Sequence, residues 1–203
     1  MSAPHPMGKG RLEAFSDGVI AVIITIMVLE LKVPAGASLA VLKPVLPLFV
    51  VYVQSFINLG IYWNNHHHML HACERVTGPI LWANLHLLFW LSLIPFTTAW
   101  MGENEFAAVP AALYGGVLVA SAVAYLVLQQ TIIASQGAGS LLRRAVGEDR
   151  KGKLSIVCYA LAIPAALWWS KWVALGLYVL VALVWFVPDR RIEQALTRAG
   201  SDA

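Results

Sequence analysis

The sequence predicts an all-α membrane protein with six transmembrane helices per chain. Three observations support this fold class. Of the 203 residues, 59% are hydrophobic and only 12% are charged, whereas soluble domains are about half apolar and about a quarter charged. The apolar residues form long segments, and a transmembrane helix needs about 20 such residues. The basic residues lie mainly in alternate connections. This composition excludes a soluble enzyme and a disordered chain.

The apolar segments are separated by charged or chain-breaking residues. They predict spans at about 12–33, 47–68, 79–100, 106–133, 154–169 and 172–187. We therefore expect a cytoplasmic N-terminal tail at 1–10, one six-span domain at 11–188 and a cytoplasmic C-terminal tail at 189–203. The last two segments are short and are joined only by Ser170-Lys171, so they are expected to form a helical hairpin.

The distribution of basic residues predicts the orientation of the chain in the plasma membrane. Eleven of the 14 Lys and Arg residues lie in the two tails and in the even-numbered loops. Only Lys32, Lys43 and Lys171 lie on the other side. Cytoplasmic loops carry the excess of Lys and Arg, so both termini are expected in the cytoplasm. The net charge of +3 reflects this excess of Lys and Arg on one side of the membrane and does not indicate a nucleic-acid partner.

The first segment differs from an ordinary membrane span because it contains carboxylates. Glu13, Asp17 and Glu30 lie in or beside its apolar stretch. Charged side chains in a membrane normally face protein or a water-filled path rather than lipid. We therefore expect this helix to be shielded from lipid by other helices.

One face of the first helix forms a narrow stripe when the sequence is projected at about 100° per residue. Its members are Phe15, Gly18, Val22, Thr25, Ile26 and Leu29, whereas Glu13 and Asp17 point the opposite way. Two interpretations remain open. The stripe packs against lipid or a neighbouring helix, or copies of it line a symmetric pore. In the second case, apolar rings would gate the pore by dewetting, and Thr25 would supply the one hydroxyl.

Residues Arg11 to Asp17 read R-x-x-x-F-S-D at the start of the first segment. This run resembles the signature of the transmembrane protein 175 family of potassium channels. Trp63-Asn64-Asn65-His66-His67 is similar to the W-x-x-H-H of the second span in that family. Asn84, followed by Pro95-Phe96-Thr97, is similar to the third span. The resemblance covers about residues 9–188.

The resemblance implies a potassium-favouring cation channel that assembles as a homotetramer in the lipid bilayer, with K⁺ as the permeant ion, no cofactor and no enzymatic activity. The T-V-G-Y-G filter of ordinary potassium channels is absent from this sequence. In the family, the first helices line the pore. The constriction then falls on Val22, which is smaller than the usual Ile or Leu, and selectivity falls on Thr25. Further apolar rings fall on Ile26 and Leu29.

The motif residues Arg11, Phe15, Ser16 and Asp17 are expected to have a structural role. Asp17 points away from the stripe, which argues against an ion-binding ring. We expect Arg11, Ser16 and Asp17 to bond to polar groups on the second and third helices. The candidate residues of that network are Trp63, His66, His67 and Asn84. A buried charge without a partner would cost several kcal/mol.

Two other functions remain as alternatives. A membrane haem or metal redox protein would use the histidines at 66, 67, 68 and 71, with His86 as an axial partner. His67 and His71 are four residues apart, a workable ligand pair on a helix, but no second spaced pair or carboxylate completes the set. A proton-coupled transporter would use Asp17 or Glu30 and would normally show repeat symmetry, which the sequence lacks. Cys73 and Cys158 form no metal or disulfide pattern.

The remaining polar and small residues are expected to hold helices together. Gln54, Asn58, Asn65 and His68 share a face of the second helix, as expected for interhelical hydrogen bonds. Gly115 and Gly116 would allow a close approach of the fourth helix to a neighbour.

Overall fold

The computed structural model describes residues 8–137, 140–147 and 149–186, and all regular structure in this part is helical. The helices are α1 Lys9–Leu29, α2 Leu46–His71, α3 Gly78–Ser92, α4 Ile94–Glu103, α5 Ala108–Gln136, α6 Leu141–Val146, α7 Arg150–Pro164 and α8 Lys171–Phe186. A 3₁₀ segment, Leu39–Val45, leads into α2, and a π-helical turn, Ala165–Trp169, follows α7. The expected tail at 189–203 and most of the tail at 1–10 lie outside the described residues.

Five helices of the described chain are long and apolar enough to cross a membrane. They are Lys9–Leu29, Leu39–His71, Gly78–Glu103, Ala108–Gln136 and Arg150–Trp169. The sixth apolar helix, Lys171–Phe186, has 16 residues and is about 24 Å long at about 1.5 Å per residue. The hydrocarbon core of a bilayer is about 30 Å thick, so the sixth span and the six-span count stay predictions.

Several helix boundaries differ from the apolar segments of the sequence, and proline accounts for two of the differences. Helix α1 ends at Leu29, four residues before the apolar run ends, because a helix continued to Pro34 would lack an amide donor there and would bring the proline ring against the carbonyl of Glu30. Leu93 separates α3 from α4. Pro95 follows, and a proline inside a helix lacks the amide donor and clashes with the carbonyl four residues earlier. The third apolar segment is therefore a broken helix.

Helix α5 lies at the centre of the bundle and packs against α3, α4, α7 and α8. Tyr114, Leu118, Leu128 and Ile132 on α5 are fully buried. Helices α7 and α8 form the antiparallel hairpin that the sequence predicts. Near its open end, Trp185 Nε1 donates a hydrogen bond to Ser155 Oγ at 2.7 Å.

Close helix contacts depend on two glycines. A Cβ at Gly115 would lie 2.3 Å from the hydroxyl oxygen of Tyr178, which is itself bonded to the carbonyl of Ala111. Gly116 faces open space, so only the first of the two predicted glycines is needed for packing. A Cβ at Gly102 would lie 2.6 Å from the Cα of Leu48, which brings α4 against the start of α2.

The bundle has a basic end and an opposite end. At the basic end, Lys9 of α1 bonds to the carbonyl of His71, and Gln136 of α5 donates to the carbonyl of Ala72 at 3.0 Å. The described basic residues at this end are Lys9, Arg11, Arg75, Arg143, Arg144, Arg150, Lys151 and Lys153. At the opposite end, Lys32 pairs with Glu103 at 3.0 Å. The structure thus segregates the charges as the sequence predicts.

Candidate functional site

Helix α1 lies at the edge of the bundle and has one covered and one uncovered face. The covered face packs against α2, α3 and α4 and consists of Leu12, Ser16, Ile20, Ile23 and Met27. On the uncovered face, Val22 is 54% exposed, Ile26 43% and Leu29 76%. Phe15, Gly18 and Thr25 are also exposed there. The predicted stripe is therefore not packed against any helix in the described part of its own chain.

The Thr25 hydroxyl on this uncovered stripe is oriented as an acceptor. It donates its hydrogen within α1, to the carbonyls of Ala21 and Val22, both at 3.0 Å. A hydroxyl has one hydrogen and two acceptor lone pairs. Because the hydrogen is used inside the helix, the oxygen is left to accept from water or to contact a cation.

A groove of about 810 Å³ runs beside the stripe, between α1 and the broken helix α3–α4. Its α1 wall includes Phe15, Val22 and Ile26. Pro95 and Phe96, just after the helix break, form part of the opposite wall. Glu30 also lines this groove and is the one carboxylate among its described lining residues. The uncovered side of α1 is thus a continuous apolar surface with an acidic group near its end.

A buried polar cluster fixes α1 from the other side. Asn84 Nδ2 donates to Ser16 Oγ at 2.9 Å, and Asn84 Oδ1 lies 2.7 Å from His66 Nε2. Ser16 in turn donates to the carbonyl of Leu12 at 2.9 Å. These three polar side chains are at most 1% exposed. Because Asn84 Oδ1 can only accept, His66 Nε2 carries the hydrogen. The cluster ties α1 to α2 and α3 through neutral groups.

Asp17 is held separately from this cluster. Its Oδ1 accepts a hydrogen bond from Trp63 Nε1 of α2 at 2.9 Å, and its side chain is half-buried. The Arg11 side chain is exposed and makes no hydrogen bond with another described residue. His67 stacks on His71, with ring centroids 6.2 Å apart and planes at 14°, rather than bonding to α1. Trp63, His66 and Asn84 therefore belong to the contacts that hold α1 in place. Arg11 and His67, which the sequence also predicts there, take no part in them.

A second polar cluster lies deeper in the bundle, and the sequence indicated only part of it. Ser55 lies 2.7 Å from the Thr98 hydroxyl and 2.9 Å from the Tyr114 hydroxyl. Asn58 donates to the same Tyr114 oxygen at 3.3 Å, and Gln54 donates to the carbonyl of Tyr178 at 3.1 Å. The shared face of Gln54 and Asn58 was the available signal. No pattern in the sequence indicated their partners on α4, α5 and α8.

The histidines and cysteines do not form a metal centre in the part of the chain that the structure describes. No group of three or more His, Cys, Asp or Glu side chains there is placed to hold a metal ion. His86 accepts a hydrogen bond from Trp90 Nε1 at 2.9 Å, within its own helix. Burial raises the pKa of the Cys73 thiol, which disfavours the thiolate that binds metals.

These features define a multi-pass α-helical membrane protein with one edge helix that is anchored on one face and uncovered on the other. The sequence profile of the family described as "Endosomal/lysosomal potassium channel TMEM175" matches residues 11–95. A protein of Chryseobacterium sp. strain P1-3, named a potassium channel, is 55% identical over 190 residues. That match covers 94% of this chain and 98% of the relative.

The chain belongs to the TMEM175 family, which is a family of channels and not of enzymes. The predicted resemblance is confirmed. The structure resembles that of a lysosomal potassium-selective channel TMEM175 homologue from Chamaesiphon minutus, with a TM-score of 0.74 and 26% identity. The likeness covers 89% of this chain and 97% of that one. The human relative, named an endosomal/lysosomal proton channel, is 30% identical over 52% of this chain and 23% of its own length.

Proposed function

We propose that this protein is a potassium-favouring cation channel of the plasma membrane, which conducts passively through a pore lined by α1 in a homotetramer. The observation that carries the proposal is the uncovered stripe of α1. Its apolar side chains are left uncovered by the residues that the structure describes, although α1 also bears carboxylates that make it a poor lipid-facing helix. Family membership supports the same conclusion.

Four copies of α1 around one axis would stack the stripe into successive rings. Val22 and Ile26 are about 6 Å apart along a helix axis, and Ile26 and Leu29 are about 4.5 Å apart. Narrow apolar rings gate by excluding water. Thr25 adds an acceptor oxygen between the rings of Val22 and Ile26. K⁺ loses hydration water at a lower free-energy cost than Na⁺, so such a pore favours K⁺.

The buried cluster and the Asp17–Trp63 bond would set the position of α1 rather than contact the ion. Ser16, Asn84 and His66 join three helices inside one subunit. Asp17 is bonded to α2 and does not belong to the uncovered stripe. Ser16 and Asp17 of the motif thereby determine where Val22, Thr25 and Leu29 stand relative to the axis.

The basic end is assigned to the cytoplasm. Lys9, Arg75 and Arg143 lie at that end, and cytoplasmic connections carry the excess of Lys and Arg. The C-terminal end of α1, with Lys32 and Glu103, then faces the outside.

The test is potassium flux from reconstituted vesicles under a potassium gradient. Val22→Ala and Leu29→Ala are expected to increase flux and lower discrimination between K⁺ and Na⁺, because each shortens a side chain at a ring. Val28→Ala is the matched control, since Val28 is 45% exposed on α1 but lies outside the stripe. Flux that is unchanged by both stripe substitutions would remove the proposed pore.

The selectivity of the pore needs its own measurement, because relatives of this chain are named as potassium and as proton channels. Thr25→Val keeps the shape of the side chain and removes its oxygen. It is expected to lower the ratio of K⁺ to Na⁺ flux while flux itself persists. Proton flux in the same vesicles, recorded with a pH-sensitive dye, tests proton conduction as the second candidate function. Proton flux that exceeds K⁺ flux would overturn the proposed preference.

A further inference from the structure

Glu30 lies at the end of the uncovered stripe. It is the residue directly after α1, so it follows Leu29, the outermost apolar ring of the proposed pore. The side chain is half-buried and lines the same groove as Val22 and Ile26. The carboxylate therefore borders the stripe that the proposed function assigns to the pore, near its outer mouth.

The charge of Glu30 is not neutralised within residues 8–137, 140–147 and 149–186. The nearest lysine in sequence, Lys32, instead pairs with Glu103 of α4 at 3.0 Å. No ion pair of the described residues involves Glu30. Lys32 is therefore engaged by Glu103 and does not form an ion pair with Glu30.

The end of α1 adds to this negative potential. The last carbonyls of a helix carry about half an elementary negative charge. In a homotetramer, four helix ends and four Glu30 carboxylates would surround one axis. Clefts lined by charges of one sign raise the local concentration of the opposite ion.

We propose that Glu30 forms a cation-concentrating ring at the outer mouth of the channel and so raises potassium conductance at low ionic strength. The inference rests on the proposed function, because it needs α1 at the axis. Glu30 raises the local concentration of cations at the mouth of the pore. It does not change the free-energy cost of their dehydration at the constriction. It therefore attracts K⁺ and Na⁺ equally and leaves the selectivity ratio unchanged.

The experiment compares wild type with Glu30→Gln in planar bilayers, with inward K⁺ conductance measured from about 10 mM to about 1 M KCl. The Debye length falls from about 30 Å to about 3 Å over this range. Glu30→Gln is expected to lower conductance by up to about ten-fold at the low end. The two proteins should converge at the high end, with the same ratio of K⁺ to Na⁺ permeability throughout.

Two further variants separate charge from structure. Glu30→Asp keeps the charge and is expected to behave as wild type. Glu105→Gln removes the same charge from the same end of the bundle, but beside α8, where the carbonyl of Glu105 accepts from Lys171. It is expected to leave the conductance curve unchanged.

Three outcomes would overturn the inference. They are equal conductance of Glu30→Gln and wild type at every concentration, a loss of the same factor at low and high salt, and an equal loss in Glu105→Gln. Failure of the proposed function looks different, because Val22→Ala and Leu29→Ala would then leave flux unchanged.

Discussion

Helices α1 and α5 have nearly the same mean hydropathy but very different surroundings. In the most apolar window of α5, 56% of the residues are buried inside the chain, against 28% in α1. Hydropathy therefore identifies both as membrane helices. It does not distinguish a helix that is buried in the bundle from one that has an uncovered face. Substitutions in α5 should act on stability, whereas substitutions on the uncovered face of α1 should act on conduction.

The largest effect is expected at Gly115, where α5 meets the hairpin of α7 and α8. Gly115→Ala would place a methyl group 2.3 Å from the Tyr178 oxygen, and such overpacking costs about 3 kcal/mol. Gly116→Ala is the matched control, because that position is open and Ala favours a helix over Gly by about 1 kcal/mol. Thermal unfolding in detergent measures both. Equal midpoints for the two variants would contradict the packing assigned to α5.

The next effect is expected at the buried cluster that anchors α1. Asn84→Ala removes the partner of Ser16 and of His66, and a buried polar group left without a partner costs about 2 kcal/mol. The expected result is a lower unfolding midpoint together with a lower yield of the assembled channel. Asn104→Ala is the control, because that amide is exposed and bonds within its own helix. A double-mutant cycle with Ser16→Ala that shows no coupling would argue against the cluster.

A smaller effect is expected at Asp17, which joins α1 to α2 at the protein surface. Asp17→Asn keeps an acceptor for Trp63 but removes the charge, which weakens the hydrogen bond by about 1 kcal/mol. Assembly or open probability should fall, with the ratio of K⁺ to Na⁺ permeability unchanged. Chromatography and single-channel recording measure these quantities. Normal assembly and gating with an altered permeability ratio would assign Asp17 to the ion path instead.

The smallest effect is expected at the ion pair of Lys32 and Glu103, which links the end of α1 to α4. The Lys32 side chain is 82% exposed, and exposed pairs contribute about 0.5 kcal/mol or less. Glu103→Gln should therefore leave the unfolding midpoint within about two degrees of wild type. A large drop would show that this contact fixes α1 more firmly than its exposure suggests.

The sequence predicts the helices and the direction of the α1 stripe well, because both depend on local pattern. Apolar runs and helix breakers locate the elements, and helical periodicity separates Val22 and Leu29 from Asp17. It does not predict the break at Leu93 within an apolar run or the approach of Gly102 to Leu48. Nor does it exclude His67 from the network. The break at Leu93 had a local signal in Pro95, which the continuous apolar run obscured. The Gly102 contact and the position of His67 depend on distances between segments that no local pattern encodes.

The contrast between the two faces of α1 is tested most directly by the accessibility of single cysteines. The native Cys73 and Cys158 are buried, so wild type serves as the control for a charged, thiol-reactive reagent. Val22→Cys should lose potassium current when the reagent reacts, because the adduct blocks the pore. Val28→Cys, on the same helix but outside the stripe, should keep its current. Current that persists in modified Val22→Cys, or is lost only in Val28→Cys, would contradict a pore lined by this face of α1.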